Sequence, residues 1–454
     1  MEGIQAIFFS FCLLGVFLLL GKAARVAVRL FQILFLPASV LGGFIALLCG
    51  PYLLDLLPAW VIGSWAQLPG LLINIVFACL FLGVALPGPR AIWAQGGVQL
   101  CFGMVTGLGQ YACGLLVTIL VLMPFFDVPA VFACILEIGF SGGHGTAAGM
   151  RTVFEDLGYA AGSDLAQMSA TVGIITAVVG GIAVINYTVR RGYRTQTNTE
   201  DGQPMTPGSG LLGTERGYPA AQATVSPESL EPLAFHFGIV ALAVLLGWGM
   251  LEQIRGLHAL LRGFPLFPLA MIGGLIIQAL AAPLRLAVYF DRATFERILG
   301  FSLDMLVVAA IATIRLDIFI ANLWPFVILM GTGIAWLLLC LIVIAPRMLP
   351  DYWLERGVTE YGMQAGVTAM GLLLLRLVDP QYKTGTAEAF GFKQMAYEPF
   401  LGGGLITATA PFIVVQMGAW NSLAMAAAGM ALFVMIAVLN GWVRLRPGKR
   451  RENG

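Results

Sequence analysis

Long apolar stretches dominate the chain, and short segments with proline, glycine or charged residues separate them. A bilayer hydrocarbon core about 30 Å thick is crossed by roughly 20 apolar residues in a helix. The pattern therefore predicts an all-α polytopic membrane protein. We identify eleven candidate spans, near residues 4–20, 36–57, 68–86, 98–123, 164–189, 234–254, 264–285, 298–318, 321–345, 397–417 and 421–443.

The composition supports a membrane protein and excludes other classes. Hydrophobic residues make up 59% of the chain and charged residues only 11%, whereas charged residues are about a quarter of a soluble domain. The 25 Lys and Arg residues nearly balance the 24 Asp and Glu residues, so no basic field attracts nucleic acid. The cysteines lie in apolar runs without a CxxC pair, which argues against a zinc site or a disulfide framework.

Basic residues near the span ends predict the orientation, because cytoplasmic loops carry an excess of Lys and Arg. The N-terminus is expected outside and the C-terminus in the cytoplasm. No Lys or Arg precedes the first apolar run, so this run is expected to remain a span rather than act as a secretory signal. The basic residues concerned are Lys22, Arg25, Arg29, Arg90, Arg190, Arg191, Arg194 and those of the tail from Arg444 to Arg451.

The apolar pattern stops between residues 191 and 233, where prolines alternate with Gly, Thr, Ser and acidic residues. A segment of this composition cannot bury enough apolar surface to order itself. It predicts a flexible cytoplasmic linker between two membrane halves, residues 1–190 and 234–418. Residues 419–454 then form an extra transmembrane helix and a basic cytoplasmic tail.

An internal repeat relates the two halves. Residues 36–51 read LPASVLGGFIALLCGP and residues 267–283 read FPLAMIGGLIIQALAAP, so a proline and a Gly-Gly pair recur at matching positions. Each half holds five spans, an odd number, and the second half therefore enters the membrane from the opposite side. Such inverted repeats recur in secondary transporters, whose sites lie where broken segments meet.

Each half also contains a glycine-rich segment that we interpret as a hairpin rather than a span. The first covers residues 129–151 and includes the motif SGGHGT, and the second covers residues 357–377. Non-helical backbone at membrane depth is tolerated only where protein buries it or where it lines a cavity. We therefore predict two re-entrant hairpins that enter from opposite faces.

These hairpins offer groups for an ion and an anion. Glycines let peptide groups approach a ligand, and a helix that starts near Thr146 would favour a carboxylate at its N-terminus. Carbonyl and hydroxyl oxygens suit a hard cation such as Na+. The candidates are Ser141, Gly142, Gly143, His144, Gly145 and Thr146 in the first hairpin and Gln364, Gly366 and Thr368 in the second, with Ser141, Gly143, Thr146 and Thr368 as Na+ ligands.

Charged residues within apolar segments add candidates, because ionisable groups in a membrane are costly and often functional. Asp304 could hold a substrate ammonium or pair with Arg315 or Arg297. Arg376 follows the second hairpin, where a guanidinium suits a substrate carboxylate. Its alternative role is snorkelling to the interface. Glu137 could bind Na+, pair with a buried arginine or cap the loop.

The motif SGGHGT, with its partner loop and the repeat layout, resembles the sodium/glutamate symporter family over roughly residues 1–418. The resemblance implies two inverted five-span repeats with re-entrant loops and Na+-coupled uptake of glutamate across a bacterial inner membrane, with elevator-like movement. It implies Na+ as the coupling ion, no cofactor, a small anionic substrate and no enzymatic activity, and a homodimer is compatible with it. Gly142, Gly143, His144 and Gly145 match the family's GGxG-type motif, whereas Gly362–Gly366 match its second loop only by position.

Three alternatives stay open at this point. A carrier of 2-hydroxycarboxylates or other organic acids would need no acidic partner for an amine. Ser141 and His144 also fit a membrane-embedded hydrolase, although hydrolysis does not explain a second loop in a mirrored half. A passive channel is the third alternative.

Overall fold

The computed structural model describes residues 4–34, 36–190, 221–257, 264–380 and 382–443. Within these ranges all regular structure is helical, as predicted. Most of the expected linker and the basic tail from Arg444 lie outside the described residues. The α-helices are α1 Ile4–Ala27, α2 Arg29–Ile33, α3 Ala38–Leu48, α4 Ala59–Trp65, α5 Leu68–Ala78, α6 Pro89–Val117, α7 Met123–Phe126, α8 Ile135–Phe140, α9 Gly143–Gly149, α10 Arg151–Asp156, α11 Ala161–Arg190, α12 Pro232–Leu257, α13 Phe267–Ala281, α14 Arg292–Ala312, α15 Leu316–Ala321, α16 Leu323–Leu339, α17 Ala345–Met348, α18 Trp353–Val378, α19 Thr386–Tyr397, α20 Leu405–Met417 and α21 Ala419–Leu439.

Eight described helical segments are long and apolar enough to cross a membrane. Seven of them correspond to predicted spans, and the eighth is α18, which contains the second predicted hairpin. The predicted spans at 36–57, 264–285, 298–318 and 397–417 have no counterpart among the eight. The predicted span at 36–57 is only α3, because the chain turns at Gly50 and Pro51 after the helix ends. The predicted span at 397–417 is also shorter, since residues 398–404 separate α19 from α20. Hydropathy alone cannot locate such breaks, because Gly and Pro interrupt a helix without making the segment polar.

The helices form two compact units. Unit 1 falls within Met1–Leu86, His144–Gln167 and Pro207–Phe319, and unit 2 within Pro87–Gly143, Met168–Thr206 and Ile320–Gly454. Each has a buried apolar core. The core of unit 1 includes Ala78, Cys79, Leu82, Val240, Ala243, Ala270, Phe295 and Ile298, and that of unit 2 includes Cys101, Phe102, Val105, Cys340, Ala345, Met348, Leu349 and Ala437.

In unit 1 the two Gly-Gly pairs occupy matching positions between helices. A methyl group built at Gly42 would lie 2.5 Å from Phe17 O on α1, and one built at Gly273 would overlap Ala243 O on α12. The second glycine of each pair faces the third predicted span of the other half: Gly43 meets α14 and Gly274 meets α5. The glycines thus allow two backbones to approach closely, as small residues do in membrane helix pairs.

These contacts make a paired stability prediction. We expect Gly42→Ala and Gly273→Ala each to destabilise the protein by about 1–3 kcal/mol, because the new methyl group overpacks against a backbone carbonyl. Gly238→Ala in α12, where the space around the glycine is open, is the control and should be neutral or slightly stabilising. Thermal unfolding in detergent measures all three, and a neutral result for either core variant would contradict the prediction.

Unit 2 is built around the long helix α6, on which α16, α19 and α21 pack. Its α6 and α16 each continue into a π-helical turn, Thr118–Leu122 and Cys340–Ile344. A proline follows each turn, within the matching sequences TILVLMP and CLIVIAP. Proline lacks the N–H that a regular α-turn would use, so the same irregularity recurs at the same place in both halves.

Candidate functional site

Two interruptions of helical backbone bring the glycine-rich segments together in unit 2. We define the first tip as Ser141–Gly143, from the end of α8 to the first residue of α9, and the second tip as Ala365–Val367, within α18. Gly143 has φ +67°. Val367 has φ 69° and ψ 170°, which is rare for a β-branched residue and costs about 1–3 kcal/mol.

The second tip reverses the chain. Gly366 and Val367 are non-helical, and the two arms of α18 then lie against each other, since a methyl group at Gly362 would stand 2.9 Å from Gly371 N. The two tips also touch: a methyl group at Gly143 would lie 2.5 Å from Val367 Cγ1. Only glycine fits at position 143 in this arrangement.

The first tip faces the break between α19 and α20. Ser141 is buried, and its Oγ lies 3.5 Å from the Tyr397 hydroxyl oxygen at the end of α19. A methyl group at Gly402 would lie 3.4 Å from Ser141 Oγ. Hydroxyl and peptide oxygens therefore converge at this tip, and such oxygens are what a hard cation prefers.

Glu137, one turn before the first tip, accepts hydrogen bonds with both carboxylate oxygens. Tyr111 OH donates to Oε2 at 2.5 Å, while Gly402 N and Thr407 Oγ1 donate to Oε1, each at 3.0 Å. The side chain is fully buried. A carboxylate thus ties α8 to α6 and to the segment that begins α20.

Gln364, just before the second tip, is the centre of a buried polar network. Its Nε2 donates to Gly103 O at 3.1 Å, to Glu360 Oε1 at 2.9 Å and to Tyr397 OH at 2.9 Å. Its Oε1 accepts from Gln110 Nε2 at 3.0 Å. Because Tyr397 also lies near Ser141, this network connects the second tip with the first.

A buried ion pair holds the first arm of α18 to α19. Lys393 Nζ lies 2.8 Å from Glu360 Oε1, and both side chains are 0% exposed. The ammonium also donates to Gln394 Oε1 at 2.7 Å and lies 3.6 Å from the centroid of the Tyr397 ring. Gln99 Nε2 donates to the other oxygen of Glu360 at 3.0 Å. Each charge therefore has several partners, as a buried pair requires.

Thr368, after the second tip, has polar partners on α19 and beyond. Its Oγ1 accepts from Gln394 Nε2 at 2.7 Å and donates to Glu398 Oε1 at 3.2 Å.

Among the sequence candidates, the structure thus brings Ser141, Gly142, Gly143, Gln364, Gly366 and Thr368 into unit 2 around the two tips. A helix starts at Gly143 rather than near Thr146.

The other candidates have different surroundings. His144, Gly145 and Thr146 belong to unit 1, where Gly145 packs against Ile73. The exposed Asp304 is also in unit 1, beside Ser39 on α3. Arg376 is exposed near the end of α18 and donates to Tyr382 OH at 2.5 Å, so the structure does not bring it to the second tip.

Sequence reasoning did not pair Asp164 with the arginines of unit 1. Arg315, considered above as a partner of Asp304, instead lies 2.8 Å from Asp164 Oδ2, and Arg151 lies 3.9 Å from Asp164 Oδ1. Sequence reasoning also missed Glu360, Lys393 and Tyr397. The available signal was the rule that an ionisable group within an apolar segment is a functional candidate, which both Glu360 and Lys393 satisfy.

A protein-family model with the description sodium/glutamate symporter matches residues 5–374 of the chain. A search of curated proteins found no match. The matched range contains both tips together with Glu137 and Gln364, and it ends before Lys393 and Gly402.

Proposed function

Since the chain belongs to the sodium/glutamate symporter family, we propose that it takes up glutamate or a similar anionic amino acid by symport with Na+. Membership confirms the resemblance described above and makes the protein an integral membrane transporter rather than a hydrolase. The single observation that carries the proposal is the contact of the two tips, Gly143 against Val367, beside a buried polar network. This is the kind of place where transporters bind substrate and ion.

The two halves support the further proposal of inverted repeats. The Gly-Gly pairs of α3 and α13 make matching contacts, each with the third predicted span of the other half. The π-helical turns before Pro124 and Pro346 match as well. In this proposal both tips belong to re-entrant hairpins, and an elevator-like movement carries them across the inner membrane, with the N-terminus outside.

Our proposed site has its centre at the two tips. Oxygens of Ser141, Gly143 and Thr368 would bind Na+, while peptide N–H groups at the two tips, around Gly142 and Gly366, would hold substrate carboxylates, with Gln364 between them. Thr146 as a further Na+ ligand, Arg376 as a carboxylate partner and Asp304 as an ammonium partner remain predictions from the sequence.

The decisive experiment is uptake of radiolabelled glutamate into proteoliposomes that contain the purified protein. We expect an inward Na+ gradient to drive accumulation, and a choline gradient of the same size to give none. Uptake that is indifferent to the Na+ gradient would reject the coupling. Uptake of citrate or malate that glutamate does not inhibit would instead favour an organic-acid carrier.

A further inference from the structure

Glu137 differs from Glu360, another acidic group beside the tips, in having no basic partner among the described residues. Its three hydrogen-bond donors are all neutral: the Tyr111 hydroxyl, the Gly402 peptide N–H and the Thr407 hydroxyl. Among the described residues, no Lys, Arg or His forms an ion pair with it, whereas Glu360 has Lys393. The buried arginine partner considered from the sequence is therefore not found in the described part of the chain.

The geometry around Glu137 fits the ionised carboxylate. The peptide N–H of Gly402 can only donate, and the Thr407 hydroxyl already accepts from Gly403 N at 3.2 Å, which leaves its hydrogen for Glu137. The helix α20 begins at Leu405, so its N-terminal dipole also favours a negative charge here. These groups stabilise the charge but do not neutralise it, and a buried charge without a counter-ion is costly.

This charge lies beside the first tip. The peptide N–H groups of Ser141 and Gly142 donate to Glu137 O at 3.0 and 3.1 Å. Gly402 lies between the carboxylate and the tip. Its N–H donates to the Glu137 carboxylate, and a methyl group built on it would lie 3.4 Å from Ser141 Oγ. A second observation concerns Gln110, whose amide nitrogen donates to Gln364 beside the second tip: its Oε1 is buried and makes no hydrogen bond within the described protein. A cation at the tips would thus find a negative charge at Glu137 and a free oxygen acceptor on Gln110.

We propose that Glu137 supplies the fixed negative charge that draws the coupling Na+ to the first tip. An anionic substrate would be repelled by this charge until the cation is bound, so Na+ binds before the substrate. The inference rests on the proposed Na+ symport and adds to it a residue and a binding order. A pure capping role would not need the charge, since a glutamine could accept the same hydrogen bonds from Gly402 and Thr407.

The test separates charge from structure by using Glu137→Gln. The amide oxygen keeps the bonds from Gly402 and Thr407. The amide nitrogen can donate to the Tyr111 oxygen, so the variant removes the charge and the bond that the Tyr111 hydroxyl donates. We titrate Na+ against the purified full-length protein without glutamate, replacing choline at constant ionic strength, and follow the unfolding temperature. The wild type should be stabilised by Na+, and Glu137→Gln should need about tenfold more Na+ for half of the effect.

Tyr111→Phe is the matched control, because it removes one donor and keeps the charge. Its half-saturating Na+ concentration should stay within about threefold of the wild type. Equal half-saturation for wild type and Glu137→Gln would overturn the role of Glu137 and leave Na+ symport standing. A wild type without any Na+ response would contradict the coupling itself, and with it this inference.

A second variant covers the case in which Glu137→Gln does not fold. Glu137→Asp keeps the charge but draws the carboxylate back by one methylene. We expect a retained Na+ response with half-saturation raised by about threefold or more. An unchanged half-saturation in this variant would also overturn the proposal.

Discussion

Gly143→Ala is expected to reduce Na+-driven glutamate uptake at least about tenfold, because the two tips could no longer keep their contact. The new methyl group would lie 2.5 Å from Val367 Cγ1. In addition, residue 143 has a left-handed backbone conformation, with φ +67°, which costs an alanine about 1–2 kcal/mol. We expect these effects together to displace the first tip from the second, so that the binding groups of the two tips lose their alignment. Initial uptake rates in proteoliposomes, normalised to the amount of protein, measure the loss.

The control for this variant is Gly331→Ala in α16, where a methyl group meets no atom within 4 Å. Its uptake should equal that of the wild type. The double variant Gly143→Ala/Val367→Ala removes the clashing Cγ1 atom and should recover part of the lost uptake. Wild-type rates for Gly143→Ala would show that the contact between the tips does not matter for transport.

Lys393→Met should destabilise the protein by about 3–5 kcal/mol, because it leaves the buried Glu360 without its counter-ion. The remaining partners of that carboxylate are the amides of Gln99 and Gln364, which donate at 3.0 and 2.9 Å. The double variant Glu360→Gln/Lys393→Met removes both charges and should regain most of the stability. Thermal unfolding in detergent measures each member of this double-mutant cycle.

The matched control is Lys383→Met, which replaces an exposed lysine without an ion pair among the described residues. Its unfolding temperature should be close to that of the wild type. A Lys393→Met protein as stable as this control would show that the neutral partners alone stabilise the Glu360 carboxylate. Uptake by the double variant would then reveal whether the pair also contributes to transport.

Local patterns in the sequence predicted the features that depend on backbone freedom. The Gly-Gly pairs of α3 and α13 were recognisable because close helix packing requires small residues. The segments 129–151 and 357–377 contain the two observed interruptions, at Gly143 and at Gly366–Val367. Glycines indicate such interruptions in the sequence because glycine can adopt the positive φ angles that break a helix.

Features that depend on tertiary contacts could not be read in the same way. Glu360 and Lys393 lie in different helices, and nothing in the spacing of two such residues specifies a direct contact. Arg376 follows a glycine-rich loop in sequence, but α18 continues past the tip and carries it to Tyr382. Val367 gives no sequence signal at all, because a β-branched residue is not expected at positive φ.

The unpaired carboxylate of Glu137 has an electrical consequence for the proposed transport cycle. Moving one elementary charge through the whole membrane potential involves about 2.3 kcal/mol per 100 mV. If the first tip crosses part of the field, an empty carrier would carry this negative charge with it. The inside-negative voltage of a living cell would then push the unloaded tip back towards the outer face, where the next Na+ is bound.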